Sequence, residues 1–361
     1  MKIRDRYIAK TLLSYTMIVL VVWVSIYSFF NFLAELNIVG QAGYSILSAF
    51  TYIILQLPEV AYKQASPIIL LGCILGMGHL ASTGQLLIFR VSGASILRIT
   101  LLTLKNSLVF ILFFIAIGEF LAPISSNFAE NSKSASLENY SVSTNQEGFW
   151  IRDGNNFINV KRNIDGVIFN GITIIEVNLL NKIERVIKSK SASFDGNSLE
   201  MTDSEIFSID NSNFIDNISL KERNYFNKRV SFDQDLIDSL EKEPEDLSTW
   251  TLIKQIEFLS DNKLRSGVFE VELYKRLIQP ITLIAMILLA MLFIFGSTRE
   301  VTLGRKIFIG VALGLSFEML SRIASAMALS FDFSPFLSSI LPTFVVMFIA
   351  IILLIQKSIH Y

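Results

Sequence analysis

The chain has 361 residues with a mean hydropathy of +0.52, is 52% hydrophobic and contains 29 phenylalanines, against about 45–50% apolar residues, glycine included, in soluble domains. Thirty-one Lys and Arg balance 32 Asp and Glu to a net charge of −1, a balance that says nothing about nucleic acid and moves attention to where the charges lie. One cysteine, Cys73, and two histidines, His79 and His360, exclude an intrachain disulfide and a His/Cys zinc site.

In chain order, Lys2, Arg4, Arg6 and Lys10 precede the charge-free run Thr11–Phe32, which has about the 20 apolar positions that a spanning helix requires. The run is too long for the apolar core of a signal peptide, and the basic flank places the N-terminus in the cytoplasm. Ser45–Leu57, ended by Pro58, reads as a helix on the periplasmic side. It feeds a second span, Ala65–Leu80, whose Gly72, Gly76 and Gly78 permit close helix packing.

The next stretch, His79–Ser95, is too polar to span and too apolar for a free loop. Leu86, Leu87, Phe89 and Val91 surround Arg90, and the segment closes on Ser92 and Gly93, with Gly93 as a C-terminal cap. Two readings remain open from amphipathicity alone: a helix lying in the headgroups, or a docking helix for a cytoplasmic partner. A third span, about Leu101–Leu121, ends at Pro123.

From Ser125 to about Arg276 the chain is polar. Phe149–Val160 reads as two strands joined at Asp153-Gly154, and Val167–Asn178, Glu184–Phe194, Ser198–Phe207 and Asn213–Arg229 follow as further strands. Short strands at this spacing predict a sandwich or jelly roll. Asp246–Asp261 then reads as a helix with Leu252, Ile256 and Leu259 on one face, and three spans complete the chain: Leu277–Phe295, Ile307–Leu329 and Leu337–Ile355.

The fold class is thus an α+β membrane protein of six transmembrane helices, three on each side of an inserted β domain. The units are residues 1–124, 125–268 and 269–361. The stretches assigned to the cytoplasm hold Lys2, Arg4, Arg6, Lys10, Arg90, Arg98, Lys105, Arg299, Arg305, Lys306 and Lys357 against Asp5 and Glu300. That bias places both termini inside and the β domain outside, and with it the docking reading of residues 79–95 gains over the interfacial one.

Glu318 and Arg322 lie four apart within the fifth span, on one helix face. They form either a self-neutralising pair or part of a polar path for an amphiphile. Glu35 and Glu119, near span ends, suit the membrane interface. The 25 carboxylates between Glu130 and Glu272 are scattered without ligand spacing or a nucleophile, so an enzyme is the weaker reading. No G-x-x-x-x-G-K-[ST] sequence occurs, so no P-loop in this chain binds ATP, and a partner would have to supply it.

Four pieces carry a family resemblance: Ala116-Ile117-Gly118-Glu119-Phe120-Leu121-Ala122-Pro123; Gly148-Phe149-Trp150-Ile151-Arg152-Asp153-Gly154-Asn155-Asn156-Phe157; Gln279-Pro280 with Phe293-Ile294-Phe295-Gly296; and Ser82-Thr83-Gly84-Gln85-Leu86-Leu87-Ile88-Phe89-Arg90-Val91-Ser92-Gly93. With these the chain resembles, over nearly its whole length, the permeases of the lipopolysaccharide exporter, the LptF/LptG family. The resemblance implies a bacterial inner-membrane heterodimer with an LptF-like permease, two LptB-like ATPase subunits that bind ATP-Mg, an LptC-like membrane subunit and a periplasmic bridge of β-jellyrolls. Lipopolysaccharide would enter from the outer leaflet between the two permeases, past gates made by spans one and five.

The same resemblance assigns Gln85, Leu86, Leu87, Phe89, Arg90, Ser92 and Gly93 to the ATPase-coupling helix. It offers Phe29, Asn31, Phe32, Glu35, Lys63, Lys133, Phe317, Glu318 and Arg322 as candidates for the substrate cavity or gate. Two positions depart from the family pattern. Gln85 stands where relatives usually have Glu, so apolar packing by Leu86, Leu87 and Phe89 is expected to dominate the docking contact. No Lys or Arg occurs from Asn31 to Asn37, which would leave lipid A phosphates to Lys63, Lys133 or the partner chain. A membrane-anchored scaffold or sensor without transport is the alternative function.

Overall fold

The structure, a computed structural model, describes residues 3–41, 43–137, 149–164, 167–178, 182–210, 217–232, 236–237, 243–296, 303–331 and 333–360. Expectations at Lys2, Asp165-Gly166, Asn181, Asn213, Arg299 and Glu300 lie outside the described residues. Packing divides the chain into two units, 1–140 with 270–361, and 141–269.

The first unit is helical. Helix α1 (Ile3–Glu35) is followed by α2 (Ile46–Lys63), α3 (Ala65–Ser82), α4 (Gln85–Val91) and α5 (Ile96–Ala116). A π turn (Ile117–Leu121) leads from α5 into α6 (Ala122–Leu137). In the same order through the rest of the chain come α7 (Thr249–Asp261), α8 (Gly267–Gly296), α9 (Leu303–Ser330) and α10 (Pro335–His360). Among the described residues six stretches are long and apolar enough to cross a membrane: Arg6–Glu35, Ala65–Ser82, Ile96–Lys133, Gly267–Phe295, Gly304–Ser330 and Pro335–Ile359.

Two prolines, Pro58 and Pro123, do not stop helices as expected. Pro58 lies inside α2, and α2 with α3 forms a broken rod bent at Gln64. That rod runs back along α1: Trp23 Nε1 donates to Gln64 Oε1 (3.3 Å), and the rings of Phe32 and Phe50 lie 6.4 Å apart. Pro123 sits just past the π turn, whose wider hydrogen-bond spacing absorbs the missing N–H, so the helix continues to Leu137 instead of ending. Residues 125–137 therefore belong to the helical unit, packed along α2, and the boundary falls at 140 rather than 124. Pro280 likewise lies within α8, which starts at Gly267, ten residues before the expected Leu277.

Helix α3 is the axis of this unit. All but four of its 18 residues are buried, and it packs against α1 on one side and α9 on another. A Cβ built on Gly72 would lie 2.6 Å from Thr16 Oγ1 and 2.8 Å from Thr16 Cα, and one on Gly310 would lie 2.6 Å from Leu71. The glycines let the backbones approach, which supplies packing energy where lipid offers no hydrophobic drive between helices. Helices α1 and α9 leave most of their length uncovered by this chain, including Ile18, Val21, Phe29 and Phe30 on α1 and Met319 and Ile323 on α9.

In the second unit six antiparallel strands follow one another in space as in sequence: β1 (Phe149–Asp153), β2 (Asn156–Ile164), β3 (Ile168–Val177), β4 (Ile183–Phe194), β5 (Ser198–Asp210) and β6 (Asn217–Arg229). The expected hairpin forms, but Asp153 pairs with Asn156, so the two-residue turn is Gly154-Asn155, one residue later than expected, with Gly154 at φ 59°. The inserted β domain is present, but its described strands form a single meander without the crossovers of a jelly roll.

A crease gives that meander two faces. The row Lys161, Gly171, Lys190, Asp203 and Asn224 drops out of all four successive ladders without a shift of register. At this row the inward-facing set slips by one residue, from Phe169 to Ile172, Ser189 to Ala192 and Met201 to Ser204. Gly171 and Asp203 take positive φ there, 70° and 52°, as strands do where they bend from one layer to another. The fold carries β6 back toward the early strands. Lys228 pairs with Glu176 of β3, and Ser231 binds Asp153 of β1 through both backbone N–H and hydroxyl. Phe232, Leu236 and Ile237 complete the enclosed apolar core, with Phe232 stacked on Phe194 at 5.8 Å.

Replacing Gly72 with Val forces α1 away from α3, because the nearest atoms include Thr16 backbone. The expected cost is about 1–3 kcal/mol, seen as a lowered midpoint of thermal unfolding in detergent. An exposed substitution such as Val22→Leu should leave the midpoint unchanged.

Candidate functional site

Two groups of residues in the helical unit answer to the sequence expectations. The first is α4. Gly84, at φ 75°, turns the chain out of α3, and Thr83 Oγ1 donates to His79 O at 2.8 Å, closing that helix end. At the other end Gly93 (φ 87°) donates to Arg90 O (2.9 Å) and Ala94 to Phe89 O (3.1 Å). These two bonds are the Schellman closure that a glycine just past a helix permits. His79 itself lies in α3, its ring 5.4 Å from that of Tyr15, so the helical part of the stretch expected to dock is Gln85–Val91 rather than the whole of 79–95.

The faces of α4 are divided differently from expectation. Leu86, 5% exposed, belongs to the bundle core, and Phe89 packs against that core. The face turned outward is Leu87, Ile88 (67% exposed) and Val91 (81%). Arg90 is half-buried beside it. Gln85 Oε1 is buried without a hydrogen-bond partner among the described residues, so that oxygen presents nothing to a docking partner. In a seven-residue helix the spacing of apolar residues is compatible with two opposed stripes, and only the seat against α3 and the bundle core selects between them.

The second group surrounds the candidate gate residues. Glu35, expected at the interface, is only 8% exposed. It accepts from Tyr44 Oη at 2.8 Å and pairs with Lys133 Nζ at 2.8 Å. The Lys133 ammonium also lies 4.5 Å from the centre of the Tyr52 ring, and Tyr52 Oη donates to Glu130 Oε1 at 3.0 Å. Burial, reinforced by the Glu35 carboxylate, raises the Tyr44 hydroxyl above its ordinary value. Lys63 pairs with Glu59 one turn earlier at 2.6 Å. Both lysines offered for phosphate recognition are thus engaged by carboxylates within the chain. Tyr44, Tyr52 and Glu130 were not singled out in the sequence, because nothing local ties them to Glu35 and Lys133.

Phe29 is exposed on α1, while Asn31 and Phe32 are half-buried. Phe317 is buried in the α9 packing face. Glu318 and Arg322 form an ion pair, Nε to Oε1 3.2 Å, on the uncovered side of α9, with the Arg322 side chain 65% exposed. Candidate residues of α1 and α9 therefore do not meet in this chain. They lie on two helices that flank α3.

Lys133→Met would leave the buried Glu35 carboxylate with only the Tyr44 hydroxyl. Removing one partner of such a pair costs about 3 kcal/mol, and Glu35→Gln in the same chain should recover most of it. A double-mutant cycle on thermal unfolding in detergent measures the coupling; additive losses would mean that the pair is not made.

Comparison with known proteins supplies a family. Residues 6–356 match the family model described as lipopolysaccharide export system permease LptF/LptG. The chain is 28% identical over 357 residues to the lipopolysaccharide export system permease protein LptG of Escherichia coli K12, covering 98% of each chain. It is 26% identical over 350 residues to the LptG protein of Haemophilus influenzae, covering 95% of this chain and 96% of that one.

Proposed function

Because the chain belongs to the LptF/LptG family of lipopolysaccharide export permeases, we propose that it is one of two permeases that lift lipopolysaccharide from the outer leaflet of the bacterial inner membrane toward a periplasmic bridge. The observation that carries this reading is the uncovered pair Glu318–Arg322 in a spanning helix. A guanidinium facing acyl chains is costly, and a second permease or a polar, amphiphile-filled cavity would remove that cost. Helices α1 and α9, each seated on α3 and open on its other side, provide the walls of such a cavity. An LptF-like chain would supply the rest. The family description names a permease, which favours transport over a scaffold or sensor.

Energy comes from outside the chain. Two LptB-like ATPase subunits binding ATP-Mg are the proposed partners at α4 and at its counterpart in the other permease. The Lys and Arg bias supports a topology with α4 and both termini in the cytoplasm and the β domain in the periplasm, where it would join the bridge with an LptC-like subunit. With Lys63 and Lys133 paired and the less exposed, the phosphates of lipid A would be met by the more exposed guanidinium of Arg322, itself paired with Glu318, or by the partner permease. The decisive experiment is photocrosslinking in cells from Phe29 and Arg322. Capture of lipopolysaccharide from both positions is expected, and its absence from both, with the complex intact, would overturn the reading.

The outward face of α4 makes a sharper expectation. Ile88→Asp and Val91→Asp should reduce co-purification of the ATPase by about tenfold or more while the chain still inserts. Leu86→Asp should instead lower the yield of folded chain, because it buries a carboxylate in the core. Pull-down from detergent extracts, normalised to permease, separates the two effects.

A further inference from the structure

Between α3, which leads into α4, and the open helix α9 lies a polar contact that the proposed export cycle has not used. Lys306, in the first turn of α9, donates from Nζ to the carbonyl oxygen of Gly78 at 3.0 Å, near the C-terminal end of α3. Carbonyls at that end of a helix favour a cation. The lysine stem lies directly over Gly78: a Cβ there would stand 3.2 Å from Lys306 Cδ and 3.3 Å from Nζ. The surroundings are apolar, with Ile74, Ala81, Phe293, Ile294 and Ile309 lining a small cavity about the same stem. The bond is part-buried, and a hydrogen bond partly shielded from water is stronger than one at a wet surface.

The contact belongs to a series. Lys306, Gly310 and Gly314 recur every four residues on one face of α9. Cβ atoms built on the two glycines would lie 2.6 Å from Leu71 and 2.9 Å from Pro67. The glycine contacts resist approach and shear but do not resist separation, whereas the ammonium holds the cytoplasmic end of α9 to α3. From Gly78 the path to the docking segment is short and stiff: Thr83 closes α3 on His79, Gly84 turns the chain, and Leu86 fixes α4 in the core.

We infer that Lys306 is a positioning residue that makes α9 follow α4, through the end of α3, when an ATPase moves α4. This rests on the docking of an ATPase at α4 proposed above. Without the ammonium, α4 and α3 still move but the lower end of α9 lags, so hydrolysis continues while less of it is converted into lipid movement.

The test uses the complete complex of both permeases, the LptC-like subunit and the ATPase in proteoliposomes, with ATP hydrolysis and lipopolysaccharide released to a periplasmic acceptor measured together. Lys306→Met keeps the apolar stem and removes the charge. Its hydrolysis should stay within about twofold of the parent, while lipopolysaccharide released per ATP falls by about tenfold, the size expected for losing one charge-assisted bond. Lys306→Arg should restore at least about half of that yield, and Gly78→Ala, which crowds the stem, should give an intermediate loss.

An unchanged yield per ATP in Lys306→Met would overturn the inference, as would failure of that variant to assemble, since its role would then be structural. Ile88→Asp in the same assay tests the docking reading by itself. If that variant keeps its ATPase, the docking site is wrong whatever Lys306 does. If it loses the ATPase while Lys306→Met exports normally, only the link through Lys306 fails.

Discussion

The helical unit depends on the approach of α1 and α9 to the two sides of α3. In a bilayer the apolar surface of a helix gains nothing by leaving lipid for another helix, so association rests on close contact and on polar bonds. Gly72 and Gly310 supply the contact, since any side chain at either position would meet Thr16 or Leu71. Trp23 to Gln64 and Lys306 to Gly78 supply polar bonds on the two sides. The consequence is a buried axis flanked by two helices that also pack on α2, α5 and α10 and still leave much of their surface exposed.

Charges in this unit follow the same economy of burial. Glu35 and Lys133 are drawn out of water and therefore bound to each other, to Tyr44 and to the Tyr52 ring, because an unpartnered charge at such a site is strongly disfavoured. Glu318 and Arg322 are paired as well, yet they remain on the open side of α9. The first pair ties the end of α1 to α2 and α6, whereas the second stays exposed on α9.

The β domain reaches an enclosed core by a route that strand count alone does not reveal. A meander keeps each strand beside its sequence neighbour, which limits chain-closure cost, and the crease through Gly171 and Asp203 then folds the sheet so that β6 returns toward β3. Lys228 with Glu176, and Ser231 with Asp153, fix the return.

Hydropathy and charge by themselves determined that the chain spans a membrane six times with a β domain inserted between the third and fourth spans, because apolar length and strand alternation are local properties. The hairpin around Gly154 and the closure of α4 at Gly93 were equally legible, since each needs only a glycine at positive φ. Tertiary structure decided what local pattern could not. Pro58 and Pro123 stay within long helices because neighbouring helices and a π turn accommodate them. Leu86 turns inward while Ile88 and Val91 turn out, because α4 is seated on the bundle. Lys63 and Lys133 are bound by carboxylates, in one case brought from nearly a hundred residues away. Lys306, one more basic residue in a sequence-based count of cytoplasmic charge, becomes the link between α3 and α9 only when those two helices are side by side.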